Sequence, residues 1–252
     1  MKKILSGKNI VKTYSREQET ANALNDVNIE IYSGEFVAVM GPSGCGKSTL
    51  LFALSGTDGI DSGQIEFDGQ ALTGLNENAL ADIRRTKMGF VFQQPTMLKN
   101  LNILDNIILS SVQEEKKNRE KMIHKAKNLL KDMGLSGLEN RDITEVSGGQ
   151  LQRAGICRAL MHEPMILFAD EPTGALNSKS SEEIMDLFSA INKKGTAILL
   201  VTHDAKVASR AKSVLFMKDG RIEAQLSLGT TEGSSDKRRV DQIVSRMKDF
   251  GI

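Results

Sequence analysis

Residues 41–49 read GPSGCGKST and carry the first recognisable chemistry in the chain. Gly41, Gly44 and Gly46 let the backbone curl until its N–H groups point inward at a single anion. Lys47 is then placed to reach terminal phosphates, and the Ser48 hydroxyl to hold Mg²⁺ beside them. Pro42, Ser43, Cys45 and Thr49 complete the loop. The pattern predicts binding of a nucleoside triphosphate. Alone, it does not separate a kinase from a GTPase or a motor.

Four further groups extend that chemistry. Asp170 is suited to hold Mg²⁺ as a second acidic partner to Ser48, and the adjacent Glu171 to orient and deprotonate a water. Gln93 can touch both metal and water. His203 is one of three histidines. It follows an apolar run, whereas His124 falls in a polar helix and His162 in the turn before Pro164, both expected to face solvent. A second anion-binding candidate is Ser147-Gly148-Gly149-Gln150, a glycine-rich helix start. A second phosphate site beside a complete first one is explained by symmetry. It would serve the nucleotide of a second copy in a head-to-tail dimer.

The elements that must position these groups are legible as apolar runs. Phe36–Met40 leads into the phosphate loop, Met88–Phe92 into Gln93, residues 165–169 into Asp170, and Ala197–Val201 into Thr202 and His203. Uninterrupted apolar runs fit buried parallel strands. Ligands of open parallel sheets gather beyond the carboxyl ends of the strands, so four ends converge on one site. Residues 9–14 and 27–32 read as short hairpin strands joined by the polar segment 15–20, and 62–69 as a further strand unit. Residues 76–85 are polar and helical.

From Thr96 to about Val146 the chain reads as a helical insertion. A charge run at 114–121 forms a solvated face, and Met122, Ile123, Ala126, Leu129, Leu130 and Met133 recur at helical spacing before Gly134. Asn177 or Ser178 can cap a helix with Glu182 and Glu183 in its first turn. Residues 214–217 and 221–224 flank the hairpin signal Asp219-Gly220. A Gly/Ser-rich linker at 230–236 precedes a tail with Val240, Ile243, Val244 and Met247 on one helical face. That face is expected to dock on the chain's own core or on a dimer mate.

Composition narrows the partners. Lys and Arg total 33 against 32 Asp and Glu, so nothing argues for a nucleic-acid partner. Cys45 and Cys157 are the two cysteines, too few for a disulfide framework and suited to a reducing compartment. Cys45, inside the phosphate loop, is expected to make activity sensitive to alkylation with ATP protecting; Cys157, in an apolar helix, is expected to be inert. The N-terminus does not read as a signal peptide. No window approaches the ~18 apolar residues of a membrane span, so a role at a membrane needs another chain to cross it.

The ordered set of motifs resembles the ATP-binding-cassette family over about residues 4–225. GPSGCGKST looks like its Walker A motif, Gln93 its Q-loop glutamine, VSGGQ its signature motif and residues 165–170 its Walker B strand. Glu171 stands in the catalytic glutamate position, Ala175-Leu176-Asn177 in the D-loop, His203 at the switch histidine, and Tyr14 where the family stacks an aromatic on adenine. From sequence alone, Tyr14 could equally be a packed strand-end tyrosine. The signature usually begins with Leu where Val146 stands here. The D-loop usually ends in Asp, and Asn177 removes that charge.

The resemblance implies an α/β fold: a RecA-like P-loop NTPase core with an N-terminal antiparallel β subdomain and an inserted α-helical subdomain. The ATPase domain spans 1–225, with its core at 1–95 and 147–225, the helical part at about 96–146, and linker and tail helix at 226–252. It implies ATP and Mg²⁺, a second copy of the chain, and a membrane permease that holds the protein at the cytoplasmic face of the membrane. The EPTGALNSKS and FVFQQPTMLKNL stretches look most like ATPases of bacitracin-type antimicrobial-peptide resistance transporters, near those of macrolide export and lipoprotein release. Residues 96–107, with Met97, Leu98, Leu101 and Leu104, are expected to form the permease-docking groove, unless they pack inside the helical part. A regulatory ATPase driving a cell-wall hydrolase keeps the same motifs. A soluble cassette protein of translation or DNA repair does not fit, because the chain has one cassette and no sustained heptads.

Overall fold

The computed structural model describes residues 1–16, 19–112, 119–229 and 236–251. Residues 17–18 of the polar segment 15–20, most of the charge run at 114–121 and the linker at 230–235 lie outside the described residues. In chain order the elements are β1 (Lys3–Arg16), β2 (Glu19–Tyr32), β3 (Phe36–Met40), α1 (Lys47–Leu54), β4 (Ser62–Phe67), β5 (Gln70–Ala71), α2 (Glu77–Lys87) and β6 (Met88–Phe92). Then come α3 (Ile103–Val112), α4 (Arg119–Asp132), α5 (Gly148–Leu160), β7 (Ile166–Asp170), α6 (Ser178–Lys193), β8 (Ala197–Val201), α7 (Ala205–Ala208), β9 (Ser213–Lys218), β10 (Arg221–Ser227) and α8 (Asp236–Asp249).

The central sheet has six strands in the order β10-β9-β3-β8-β7-β6. The pairs β9–β3, β3–β8, β8–β7 and β7–β6 are parallel, and β10 closes one edge antiparallel. Period-two alternation splits these strands between two cores. Ala38, Met40, Leu167, Ala169, Ile198 and Leu200 face a core shared with helices α3 to α8. Val37, Val39, Phe168, Leu199 and Val201 face a core shared with α1 and the second sheet. Both faces are buried, which is why these strands are apolar throughout.

The second sheet is antiparallel, in the order β2-β1-β4-β5. Its first two strands are 14 residues each, far longer than the expected 9–14 and 27–32. Register shifts between Gly7 and Ile10 and between Lys12 and Thr13, with Asn9 at a φ of 50°, break the alternation that would have revealed them. Asp68-Gly69 and Asp219-Gly220 both take positive φ at two successive residues, the requirement of tight hairpin turns.

Three local expectations change. Asn177 caps α6, accepting from Ser180 N at 2.9 Å, so Glu182 and Glu183 fall beyond the first turn, which holds no acid. His162 is not solvated: its Nε2 pairs with Ser111 Oγ at 3.0 Å, tying the α5–β7 turn to α3. The tail helix docks on its own core through buried Ile243 and partly buried Met247. Its anchor, however, is Arg239, only 1% exposed. That guanidinium donates to the carbonyls of Ser209, Ala211 and Leu228. Among the described residues no helix is long and apolar enough to cross a membrane.

Candidate active site

The phosphate loop leaves β3 and enters α1. A Cβ on Gly41 would sit 2.1 Å from Met217 O, and one on Gly46 2.1 Å from Ala23 O, so only glycine lets β9 and β2 approach this closely. Lys47 is buried, and its Nζ donates to the carbonyls of Gly41 at 2.9 Å and Pro42 at 2.8 Å. Its charge is therefore folded back onto the loop it would serve. Pro42, Ser43 and Gly44 form the exposed tip, and Thr49 is half-buried. Cys45 lies beneath, where burial pushes its thiol up despite the nearby Lys47 charge. Ready alkylation does not follow from such a thiol, because the thiolate is the reactive species. Burial pushes the Cys157 thiol up to about 12, in line with an inert core residue.

Ser48 and Asp170 meet although they are far apart in sequence: Ser48 Oγ donates to Asp170 Oδ1 at 3.0 Å. Burial raises the Asp170 carboxyl, the Ser48 bond opposes this, and neighbouring Glu171 adds to the rise. A hydroxyl and an electrostatically strained carboxylate fit a small hard cation, which would relieve the carboxylate. Among the described residues no group of three His, Cys, Asp or Glu could cage a metal. Two protein oxygens completed by nucleotide phosphates is the usual habit of Mg²⁺.

Beyond β7 and β8 stand Glu171 and His203, with His203 Nδ1 2.9 Å from Glu171 Oε1. Glu171 takes a φ of 48°, a conformation that disfavours side chains bearing a Cβ by about 1 kcal/mol. Its N–H donates to Val201 O and its carbonyl accepts from Gly174 N, each at 3.0 Å, which holds it there. The carboxylate is mostly shielded while the imidazole is 73% exposed. A cavity of about 730 Å³ opens on this pair, with Arg210, Lys237 and Val240 on its lining.

Gln93 directly follows Phe92, the register partner of Asp170, so it emerges beside Glu171. Its side chain is exposed and lies against Gly174, where a Cβ would come within 2.9 Å of Nε2. It makes no hydrogen bond with Ser48 or Asp170 among the described residues. The segment behind it is gripped by α5. Gln152 Nε2 donates to Phe92 O at 2.8 Å, Pro95 packs on Gly155, and Arg158 Nη1 donates to Thr96 O at 2.6 Å. These three positions are spaced i, i+3, i+6 on one helix face. That spacing is the one trace of the grip in the sequence.

Ser147 and Gln150 form a reciprocal cap at the start of α5. Gln150 N donates to Ser147 Oγ at 3.3 Å, and Ser147 N to Gln150 Oε1 at 2.8 Å. Ser147 and Gly148 are exposed. Gly148 packs near Leu176, and a Cβ on Gly149 would lie 3.1 Å from Ser180 Oγ. The cap thus rests on the start of α6, and among the described residues no hydrogen bond joins it to the 41–49 loop. Tyr14 is 45% exposed, so it is not a packed strand-end ring.

The sequence profile described as "ABC transporter" matches residues 24–174. The chain is 40% identical over 227 residues to the bacitracin export ATP-binding protein BceA of Halalkalibacterium halodurans, covering 90% of this chain and 89% of that protein. It is 38% identical over 240 residues to the macrolide export ATP-binding/permease protein MacB of Pasteurella multocida, where it spans 37% of the longer relative. The fold is similar to a dimeric post-hydrolysis state of the ATP-binding cassette MJ0796 bound to ADP and Pi. The TM-score is 0.84 at 38% identity, over 90% of this chain and 100% of that one.

Proposed function

The chain belongs to the ABC transporter family and is one of its ATPases, and from there we propose that it powers a separate membrane protein in resistance to, or export of, bacitracin-like antimicrobial peptides. The observation that carries the hydrolytic part is the Glu171–His203 pair one residue beyond the Ser48–Asp170 contact. The peptide part rests on the bacitracin-export relative, matched along nearly its whole length.

In this reading the amides of Gly41 to Thr49 cradle the phosphates of ATP. Lys47 exchanges its loop carbonyls for phosphate oxygens. Ser48, Asp170 and Gln93 would hold Mg²⁺, which would neutralise phosphate charge there. Glu171 accepts the proton of the attacking water, and His203 steadies the terminal phosphate. Ser147 to Gln150 of a second copy close over that phosphate, offering the exposed helix start at Ser147 and Gly148. Dimeric cassettes among similar solved structures support this arrangement.

The membrane partner docks at residues 96–107. Met97 is buried and Leu104 packs against the core, whereas Leu98 is 48% exposed. Buried Asn106 shapes this loop: its Oδ1 accepts from Leu98 N at 2.7 Å and its Nδ2 donates to Leu98 O at 3.1 Å. Docking there would hold the protein at the cytoplasmic face of the membrane. The test is to purify the chain with the membrane protein it binds and reconstitute the pair. Bacitracin-like peptide should stimulate ATP turnover; a pair indifferent to such peptides would overturn the substrate assignment while leaving the ATPase intact.

A further inference from the structure

The exposed ring of Tyr14 is held by an acidic loop that no motif includes. Tyr14 Oη donates to Asp58 Oδ2 at 2.5 Å. Lys12 Nζ bonds the other oxygen, Oδ1, at 3.1 Å, and the same ammonium lies 5.2 Å from the Tyr14 ring centroid. One residue earlier, Thr13 N and Oγ1 both donate to Asp61 Oδ2 at 2.6 Å. Successive residues of β1 are therefore tied to two carboxylates of one short loop. That loop hangs from α1, with Asp58 N donating to Phe52 O at 3.1 Å. The helix that starts at the phosphate lysine thus also fixes, at its far end, the ring's hydroxyl.

We infer that Asp58 is a positioning residue for purine binding: it locks the Tyr14 ring, through its hydroxyl, in register with the phosphate loop, so that a base stacks on the ring face opposite Lys12. The inference rests on Tyr14 being the base-stacking residue. Three features carry it. The ring is exposed, so packing does not hold it. Its hydroxyl is held chiefly by the Asp58 bond, with Thr49 of the phosphate loop as a further side-chain partner. The ammonium at 5.2 Å covers one face, so an incoming base has a single face available. The electrostatics agree. Burial works to raise the Asp58 carboxyl, but the Tyr14 and Lys12 hydrogen bonds outweigh it and hold it low. The Tyr14 phenol is pushed up chiefly by the Asp58 bond, so the donor–acceptor pairing is stable at neutral pH. A pre-positioned ring loses less freedom when a base binds, and this raises affinity without touching the phosphates.

The test compares ATP with inorganic tripolyphosphate, which lacks the nucleoside, on the full chain. Asp58→Ala and Tyr14→Phe should each raise the KM for ATP about fivefold, a fraction of a full base–aromatic stack. Inhibition by tripolyphosphate should keep its strength, and kcat should change less than twofold. The double variant should be no worse than Tyr14→Phe alone, because removing the hydroxyl already cuts the Asp58 bond. Tyr14→Ala, which removes the ring, should cost at least about tenfold. If Asp58→Ala weakens ATP and tripolyphosphate equally, Asp58 merely supports the end of α1 and the inference fails. If Tyr14→Ala costs affinity but Asp58→Ala and Tyr14→Phe do not, the tether alone is wrong. If Tyr14→Ala leaves ATP affinity intact, the stacking assignment beneath it is wrong.

Discussion

Glu171 and His203 bond each other directly, Oε1 to Nδ1 at 2.9 Å, across the ends of two adjacent parallel strands. The bond orients the imidazole, but the imidazole is mostly in water, and an exposed pair of this kind contributes only ~0–1 kcal/mol to stability. His203→Ala should therefore leave the melting temperature within a few degrees of the parent while kcat falls about 100-fold. A steady-state assay beside a thermal melt checks both. A large drop in melting temperature with little loss of kcat would make the pair structural.

Arg239 gives the opposite pattern. Its guanidinium bonds no site residue among the hydrogen bonds described and satisfies three carbonyls around α7 and the end of β10. Arg239→Ala should cost about 3 kcal/mol, from unpaired buried carbonyls and a cavity. Denaturant titration reads this directly. An unchanged midpoint would mean that α8 is not anchored through this residue.

Cys45 and Cys157 should differ in rate rather than kind. Burial raises both thiols, so alkylation should be slow at neutral pH and quicken as pH rises toward the raised values. Cys45 should react first and ATP should slow it. Mass spectrometry of N-ethylmaleimide adducts, with and without ATP, follows each site. Cys45→Ala retaining ATP-protected inactivation would place the reactive group elsewhere.

Leu98→Arg should break co-purification with the membrane partner while basal ATPase stays within about twofold, as for a surface change remote from the site. Asn106→Ala should have a milder effect in the same direction, because it releases both backbone groups of residue 98. Unchanged co-purification of Leu98→Arg would remove this loop from the docking surface.

How far these features could be read from the sequence depended on the range of the interaction. Phe36–Met40 and Ala197–Val201 are buried on both faces, so their apolar runs identified them as strands of a parallel sheet. The residues following such runs brought Ser48 and Asp170 within reach of one another on paper, and the structure sets them 3.0 Å apart. Side chains that grip distant backbone left no periodic trace. Arg239 is one more charge on an amphipathic helix, and Gln152 and Asp58 stand outside every recognised motif. Their partners, Ala211, Phe92 and Tyr14, lie 28, 60 and 44 positions away. In the two long strands of the second sheet, register shifts interrupt the alternation, so the sequence pattern marks only part of each strand.

The central claim is that Glu171 is the base of a hydrolytic site completed by a second copy. Glu171→Gln tests it most directly, by turnover and by molar mass in solution with ATP and Mg²⁺. The variant should lose at least about 100-fold in kcat and should run as a stable dimer only when ATP is present. A Glu171→Gln protein that hydrolyses ATP at the parent rate, or stays monomeric with ATP bound, would contradict the account.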